Sequence, residues 1–218
     1  MPPITHAIFD LDGTLLDTER LYSEAAIQVC ARYGAEYTNV IKRAIMGGDT
    51  LWSAEYVVRE LKLPIKPLQY VAERERLLRE WFANVDLMPG AAKLIAGLRE
   101  RGIPFAIATS GYHEITMLKL AKHPFLRWAD AIVCGDDPRL ENPKPAPDIF
   151  LLAAKDLRAT PERCLAVEDS LNGLRAALDA GMRTVALVDP RWGFEPSQFA
   201  EAERVVSELG EIPLREYC

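Results

Sequence analysis

Two aspartates separated by one residue follow the first apolar segment of the chain. The segment Ala7-Ile8-Phe9 leads into Asp10-Leu11-Asp12-Gly13-Thr14. In an extended chain, residues two apart project to the same side, so both carboxylates face one point at the end of a strand. Two like charges this close need a cation between them, and hard carboxylate oxygens suit magnesium. The pattern indicates a magnesium site, although a solvated turn before a helix would leave the same residues.

A pair of hydroxyl residues and a glycine follow another apolar segment. The chain reads Phe105-Ala106-Ile107-Ala108 and then Thr109-Ser110-Gly111. Backbone N–H groups at such a turn can hold phosphate oxygens. A simple helix N-cap by Ser110 would explain the same residues. We treat Thr109, Ser110 and Gly111 as candidate phosphate ligands.

Charged residues lie around a later apolar segment, Leu165-Ala166-Val167. Glu168 and Asp169 follow it directly, at a position where the helix dipole alone would favour acidic residues. Lys144 precedes it and lies between two prolines. A lone lysine is usually a solvated surface residue, but flanking prolines limit the freedom of the backbone and suit a positioned cation. Each group is a weak signal alone, and the fold decides its meaning.

Short apolar segments alternate with amphipathic ones over most of the chain. Residues 131–134 and 185–188 also have the length and composition of strands that are covered on both faces. Residues 89–101 and 171–180 have helical periodicity. The alternation predicts an α/β fold with a doubly wound parallel sheet.

That topology would bring the scattered groups together. In the strand order 3-2-1-4-5, strands two and four flank strand one, and ligands bind at the carboxyl ends of the strands. Thr109 would then lie on one side of Asp10 and Asp169 on the other. Because four separate segments converge on one point, we interpret them as one site for phosphate and metal.

One interval lacks strand-like segments. Between residues 17 and 85 the apolar residues keep helical spacing, as do Tyr22, Ala26, Val29 and Tyr33. We expect an all-helical insert over residues 17–85. The remaining core would comprise residues 1–16 and 86–218.

Composition argues against several classes of protein. The net charge is −6 and the basic residues are scattered, which disfavours nucleic-acid binding. No apolar run approaches the ~18 residues of a membrane span, and the start of the chain lacks a signal-peptide pattern. The four cysteines are dispersed and indicate reduced thiols. We expect a cytoplasmic protein that is a monomer or a weak dimer.

The candidate site residues resemble the four motifs of the haloacid dehalogenase (HAD) superfamily, in the order that the superfamily has them. The motifs are Asp10-Leu11-Asp12-Gly13-Thr14, Thr109, Lys144 and Glu168-Asp169. The resemblance covers essentially the whole chain, and the helical insert is similar to the superfamily's C1 cap. Longer stretches, among them Leu87-Met88-Pro89-Gly90, resemble the pseudouridine-5′-phosphatase and sugar-phosphatase-like members.

The resemblance implies a magnesium-dependent phosphatase that hydrolyses a small phosphomonoester, such as a sugar, polyol or nucleoside phosphate, through an aspartyl-phosphate. Asp10 would be the nucleophile, and Asp12 the general acid and base. Magnesium would be bound by Asp10, the backbone carbonyl of Asp12, Asp169 and, through a water, Glu168. The phosphoryl oxygens would be bound by Thr109, Ser110, Gly111 and Lys144.

The insert would close over the substrate and select it. The specificity segment is expected at Gly47, Gly48 and Asp49. Related caps often carry a basic residue soon after the first glycine, and its replacement by Gly48 and Asp49 argues against a nucleotide-like or highly anionic substrate. Trp52, one turn further on, is expected to pack inside the insert.

Two other functions fit the same residues. A phosphosugar mutase of the β-phosphoglucomutase kind would use Asp10 and Asp12 and return the phosphoryl group to the sugar. Thr14 after Gly13 weakly favours the hydrolase over the mutase. A phospho-ligand binding module without turnover would belong to a different class, but it conflicts with a site that has every catalytic group.

Overall fold

A six-stranded parallel sheet forms the centre of the protein in a computed structural model, which describes residues 3–45 and 50–217. The strands are β1 (His6–Phe9), β2 (Phe105–Thr109), β3 (Ala131–Cys134), β4 (Cys164–Glu168), β5 (Arg183–Leu187) and β6 (Arg204–Val206). Their order in the sheet is β3-β2-β1-β4-β5-β6, and each neighbouring pair is parallel. The predicted α/β class and the order 3-2-1-4-5 are confirmed, and β6 extends the sheet by one strand.

Alternate residues of the central strand enter two different apolar cores. Phe9 packs in the larger core cluster on one side of the sheet, whereas Ile8 packs in a second cluster on the other side. Both side chains are almost fully buried. A strand that is covered on both faces gains from apolar residues at every position, which explains the uninterrupted segment Ala7-Ile8-Phe9.

Helices connect the strands and cover the sheet. They are α5 (Ala91–Glu100), α6 (His113–Lys119), α7 (Asp148–Asp156), α8 (Leu171–Asp179) and α9 (Leu214–Tyr217). The numbers start at five because four described helices precede them between β1 and β2. The start of α8 is capped by the Ser170 hydroxyl, which accepts a hydrogen bond from the Gly173 amide at 3.0 Å. The cap fixes the turn that carries Glu168 and Asp169.

Four helices lie between β1 and β2. They are α1 (Thr18–Arg32), α2 (Asn39–Ile45), α3 (Thr50–Glu60) and α4 (Pro67–Phe82). Helix α1 packs on α4 through the rings of Tyr22 and Phe82, whose centroids are 5.5 Å apart. The expectation that Trp52 packs inside this segment is wrong, because 46% of its surface is exposed. Its ring lies beside that of Tyr56 on α3 instead.

Two chain segments that run side by side join these helices to the sheet. The Asp17 amide donates to the Asp86 carbonyl, and the Met88 amide donates to the Leu15 carbonyl, both at 2.9 Å. This short antiparallel contact places the start of α1 close to the carboxyl end of β1. None of the helices in residues 3–45 and 50–217 has both the length and the apolar composition that a bilayer crossing requires.

Candidate active site

The Lys144 ammonium joins three strand ends at the carboxyl edge of the sheet. Its Nζ donates to Asp10 Oδ1 at 2.7 Å, to the Ala108 carbonyl at 3.1 Å and to Glu168 Oε1 at 2.5 Å. Asp10 follows β1, and its amide donates to the Val167 carbonyl of β4 at 3.0 Å. Burial alone would lower the pKa of Lys144, but the two carboxylates outweigh it and raise the pKa. Lys144 is therefore a fixed cation at this edge.

Three carboxylates meet beside Lys144. Asp10, Glu168 and Asp169 each offer an oxygen, and these oxygens all lie within 4.8 Å of one another. Burial, with the charges of Glu168 and Asp12, raises the pKa of Asp10 to about 7 against the lowering by Lys144. Burial and the charges of Asp10 and Glu168 raise the pKa of Asp169 well above its ordinary value.

The charge balance of this cluster fits a divalent cation. Three carboxylates and one ammonium leave two negative charges unmatched among the described residues. Buried like charges at this separation cannot all stay ionised without a counter-charge. Hard oxygen donors match the preference of Mg²⁺. The cluster can therefore hold a divalent metal ion.

The two oxygens of Glu168 have separate partners. Oε1 accepts from Lys144, whereas Oε2 accepts from the amides of Asp169 and Ser170 at 3.2 Å each and from the Ser170 hydroxyl at 3.0 Å. Gly173 lies directly against this carboxylate, and a Cβ there would overlap it. Glu168 therefore binds the Lys144 ammonium and also fixes the turn that carries Asp169.

Asp169 is held from the opposite side by the loop after β1. The Thr14 hydroxyl donates to Asp169 Oδ1 at 3.1 Å. Gly13 has a φ of +84°, a conformation that favours glycine. A Cβ on Gly13 would also overlap the Asp169 carboxylate. The sequence Asp12-Gly13-Thr14 thus shapes the loop around the acidic cluster.

Asp12 points away from that cluster and towards α6. Its Oδ1 accepts from Lys119 Nζ at 2.6 Å, and its Oδ2 accepts from the Thr109 hydroxyl at 3.3 Å. Only 1% of the Lys119 side chain is exposed. Burial would lower the pKa of Lys119, but Asp12 and Tyr22 reverse the effect and raise it. The carboxylate is held in one orientation by a cation and a hydroxyl.

The segment after β2 forms one wall of the site. The Thr109 hydroxyl accepts from the Gly111 amide at 3.0 Å, which closes a tight turn. Thr109, Ser110 and Gly111 all line the cavity that contains Asp10 and Lys144. The backbone carbonyl of Ser110 packs against Gly135, where a Cβ would not fit.

The cavity has a volume of about 640 Å³ and lies between the sheet edge and the helices α1 to α4. From the part of the chain between β1 and β2, the cavity is lined by Tyr22, Tyr37, Lys42 and Arg74, among others. Lys42 is buried and donates to Ser23 Oγ at 2.6 Å. The predicted specificity residues, numbers 47–49, lie outside the described residues.

Comparison with known proteins is in keeping with this geometry. The family model described as "haloacid dehalogenase-like hydrolase" matches residues 4–181. The chain belongs to this family. As a HAD-like hydrolase it has the fold and the order of motifs that the sequence predicts.

Individual relatives of this HAD-like hydrolase include named phosphatases. A probable pseudouridine-5′-phosphatase from Drosophila melanogaster is 38% identical over 96% of this chain and 91% of its own length. The (DL)-glycerol-3-phosphatase 2 of Arabidopsis thaliana is 35% identical over 98% of this chain and 91% of its own. A Thermotoga maritima crystal structure, described as a candidate β-phosphoglucomutase, superposes with a TM-score of 0.81 at 28% identity and covers 99% of this chain and 100% of its own.

Three basic residues of the site were not predicted from the sequence. Lys119 lies in the apolar stretch Met117-Leu118-Lys119-Leu120, and that setting is the one signal of its burial. Arg74 lies in a run of alternating acidic and basic residues, which is typical of a solvated helix face. Lys42 has no distinguishing neighbours in the sequence. Tertiary packing alone brings these three into the cavity.

Proposed function

We propose that this HAD-like hydrolase is a magnesium-dependent phosphatase of small phosphomonoesters and that Asp10 is its nucleophile. The observation that carries the proposal is the position of the Asp10 carboxylate. It lies in the cavity, bound by Lys144, and it shares a cluster of carboxylates with Glu168 and Asp169. A nucleophile, a fixed cation and a metal site at one point are the parts that phosphoryl transfer requires.

The reaction proceeds in two displacements. An Asp10 carboxylate oxygen attacks phosphorus, the bond from phosphorus to the ester oxygen breaks, and Asp12 protonates the leaving alkoxide. Asp12 then takes a proton from a water molecule, whose oxygen attacks the aspartyl-phosphate. Inorganic phosphate leaves and Asp10 is restored. Asp12 suits the second role because it lines the same cavity as Asp10.

Magnesium would be held by Asp10, Asp169 and the backbone carbonyl of Asp12, with Glu168 acting through a water. When bound, the ion supplies positive charge to the phosphoryl oxygens. The chain's own residues complete the anion site. Lys144, Thr109, Ser110 and Gly111 line the same cavity, and their ammonium, hydroxyl and backbone N–H groups would balance the remaining phosphoryl charge.

We infer that residues 17–85 form a cap over a core of residues 1–16 and 86–218. The helices of this segment supply one wall of the cavity, and two adjacent connections join them to the sheet. A cap that closes over the substrate excludes water and selects the alcohol half of the ester. Residues 47–49 would contribute to that selection.

The substrate class follows from the cavity and the relatives. A volume of about 640 Å³ suits a small molecule. The named relatives act on nucleoside and polyol phosphates. Net charge and scattered basic residues support a protein that does not bind nucleic acid. We place it in the cytoplasm as a monomer or weak dimer.

A phosphosugar mutase is the second candidate, because a candidate β-phosphoglucomutase shares the fold at 28% identity. Both activities use the same nucleophile and general acid. They differ in whether water or a sugar hydroxyl accepts the phosphoryl group. Released phosphate and isomerised sugar, counted in one reaction with glucose 1-phosphate, separate them.

The test of the phosphatase is hydrolysis of p-nitrophenyl phosphate with Mg²⁺ and with EDTA. We expect turnover that requires Mg²⁺ and that is lost in Asp10→Asn with the far-ultraviolet circular dichroism unchanged. Asp179→Asn on the surface of α8 is the matched control and should retain activity. Phosphate release that persists in Asp10→Asn would reject Asp10 as the nucleophile, and binding without any turnover would favour the phospho-ligand module.

A further inference from the structure

Arg74 is a buried guanidinium on the insert side of the cavity. It lies in α4, and 9% of its surface is exposed. It lines the same cavity as Asp10 and Asp12. A guanidinium does not lose its proton in proteins, so its positive charge has to be met where it lies.

The protein neutralises the charge of the Arg74 guanidinium only in part. Within residues 3–45 and 50–217 its carboxylate partner is Glu75, whose Oε1 lies 3.5 Å from Arg74 Nη2 and whose side chain is 39% exposed. Arg74 Nε has no hydrogen-bond partner among the described residues. The rings of Tyr22 and Tyr70 lie 5.8 and 5.9 Å from the guanidinium carbon. Ring faces attract a cation, but they accept no strong hydrogen bond from Nε.

The lysines that line the cavity differ from Arg74 in this respect. The Nζ atom of Lys144 lies 2.7 Å from Asp10 Oδ1, and that of Lys119 lies 2.6 Å from Asp12 Oδ1. The Nζ atom of Lys42 lies 3.1 Å from Glu19 Oε2. Each is neutralised by a carboxylate of the protein.

Among the described basic residues that line the cavity, Arg74 has the longest ion pair and a donor, Nε, without a hydrogen-bond partner. A neutral hydroxyl group on a ligand would add no negative charge beside the guanidinium. An anionic oxygen would add both a hydrogen-bond acceptor and a negative charge to the long ion pair with Glu75.

We propose that Arg74 binds a second acidic group, a carboxylate or a second phosphate, on the alcohol half of the substrate. The inference rests on the proposed phosphatase activity and specifies its substrate class. It also revises the expectation that Gly48 and Asp49 argue against an anionic substrate. The cation comes from α4 rather than from the segment around residue 47.

Matched substrates test the proposal. 3-Phosphoglycerate and glycerol 3-phosphate differ in that a carboxylate replaces a hydroxymethyl group. Fructose 1,6-bisphosphate and fructose 1-phosphate differ by a second phosphate. For each pair, the quantity measured is the ratio of kcat/KM for the ester that carries the second acidic group to kcat/KM for the ester that lacks it. We expect a ratio above one in the unmodified protein for at least one pair, and that pair identifies the acidic group.

Arg74→Met should lower that ratio about 10- to 100-fold, as expected for the loss of charge-assisted hydrogen bonds. Arg76→Met is the matched control, because Arg76 lies two residues away on the exposed side of the same helix and its loss changes the net charge equally. Arg74→Lys keeps the charge without the planar fork and should give an intermediate ratio.

Glu75→Gln gives an independent readout on a partly exposed residue, so the test survives if Arg74→Met does not fold. Removing the competing carboxylate should raise the ratio. The inference is overturned if the ratio in the unmodified protein is at or below one for both pairs. It is also overturned if neither Arg74→Met nor Glu75→Gln changes the ratio. Release of phosphate from p-nitrophenyl phosphate in the same preparations separates this outcome from a failure of the phosphatase proposal.

Discussion

Lys119 Nζ lies 2.6 Å from Asp12 Oδ1, and this contact ties the proposed general acid to the helix that follows the proposed phosphate-binding turn. Lys119 also lies 3.3 Å from the Tyr22 hydroxyl and 4.5 Å from the centroid of the Phe82 ring. Both aromatic residues belong to the helices of the proposed cap. One buried ammonium therefore contacts helices of the proposed cap and the proposed acid–base residue together, although Asp12 and Lys119 are far apart in the sequence.

Lys119→Met should impair the step that needs a proton. Because the lysine orients the Asp12 carboxylate, we expect kcat to fall about 10- to 100-fold for an alkyl ester such as glycerol 3-phosphate. The fall should be smaller for p-nitrophenyl phosphate, because its leaving group needs no protonation and only the later attack of water still depends on Asp12. The measurement is kcat for both esters at saturating Mg²⁺. Lys122→Met, on the exposed surface beyond α6, is the control. Equal losses for the two esters would contradict a role of Lys119 in protonating the alkoxide, and would place the defect in the shared hydrolysis of the aspartyl-phosphate or in the fold.

Mg²⁺ should bind more weakly as the pH falls below about 7. Burial raises the pKa of Asp10 to about 7 and that of Asp169 well above its ordinary value in the metal-free protein. A carboxyl with a raised pKa is protonated at mildly acidic pH, and it has to lose that proton before it can bind a metal. We expect the affinity to fall about tenfold per pH unit if one proton is displaced. Titration calorimetry in buffers of different ionisation enthalpy measures both the affinity and the protons released, and an affinity independent of pH would contradict the expectation.

Asp169→Asn should stabilise the protein in EDTA and abolish the response to Mg²⁺. A carboxyl whose pKa is raised on folding costs stability above its folded pKa, and the cost is absent below the unfolded pKa. Asparagine removes the charge and keeps an oxygen that can accept the Thr14 hydroxyl. We expect a gain of about 1 kcal/mol at neutral pH, or about 2–4 °C in Tm.

The two arms of this experiment are thermal unfolding in EDTA and in excess Mg²⁺. The unmodified protein should gain stability from the metal, and Asp169→Asn should not. Asp179→Asn on the surface of α8 controls for the substitution itself. A variant that is less stable than the unmodified protein in EDTA would show that Asp169 is not under electrostatic strain there.

The sheet could be predicted from the sequence because its central strands are buried on both faces. Segments such as Ala7-Ile8-Phe9 are uniformly apolar, and the order of strands follows from the general topology of doubly wound folds. Strand β6 was not predicted. It has three residues, Arg204-Val205-Val206, and lies at the sheet edge among charged residues, where the apolar pattern is too short to recognise.

The acidic cluster and Lys144 could be predicted from the sequence for a different reason. They follow or precede strands, and the topology alone brings the carboxyl ends of neighbouring strands together. Lys119, Lys42 and Arg74 lie on helices, where a charged residue normally faces solvent. Their burial depends on how the helices between β1 and β2 pack over the sheet, and single-sequence patterns contain no information on that packing.

A bidentate ion pair connects the start of α1 to the loop after β5. Arg191 donates to both oxygens of Asp17, at 2.9 and 3.0 Å, and also binds Asp189. Asp17 lies where the proposed cap begins, and its side chain is 13% exposed, against 41% for Arg191. Partial burial and bidentate geometry should make this pair stronger than an ordinary surface ion pair.

A double-mutant cycle of Asp17→Asn and Arg191→Met measures that strength. We expect a coupling free energy of about 1 kcal/mol in urea unfolding, after allowance for solvent screening at the exposed guanidinium. The pair of Arg175 and Asp179 within α8 is the control, because both side chains are at least 40% exposed. Its coupling should be about 0.3–0.5 kcal/mol. If the Asp17 pair couples no more strongly than the α8 pair, the contact does not hold the proposed cap to the sheet, and the adjacent backbone connections do so by themselves.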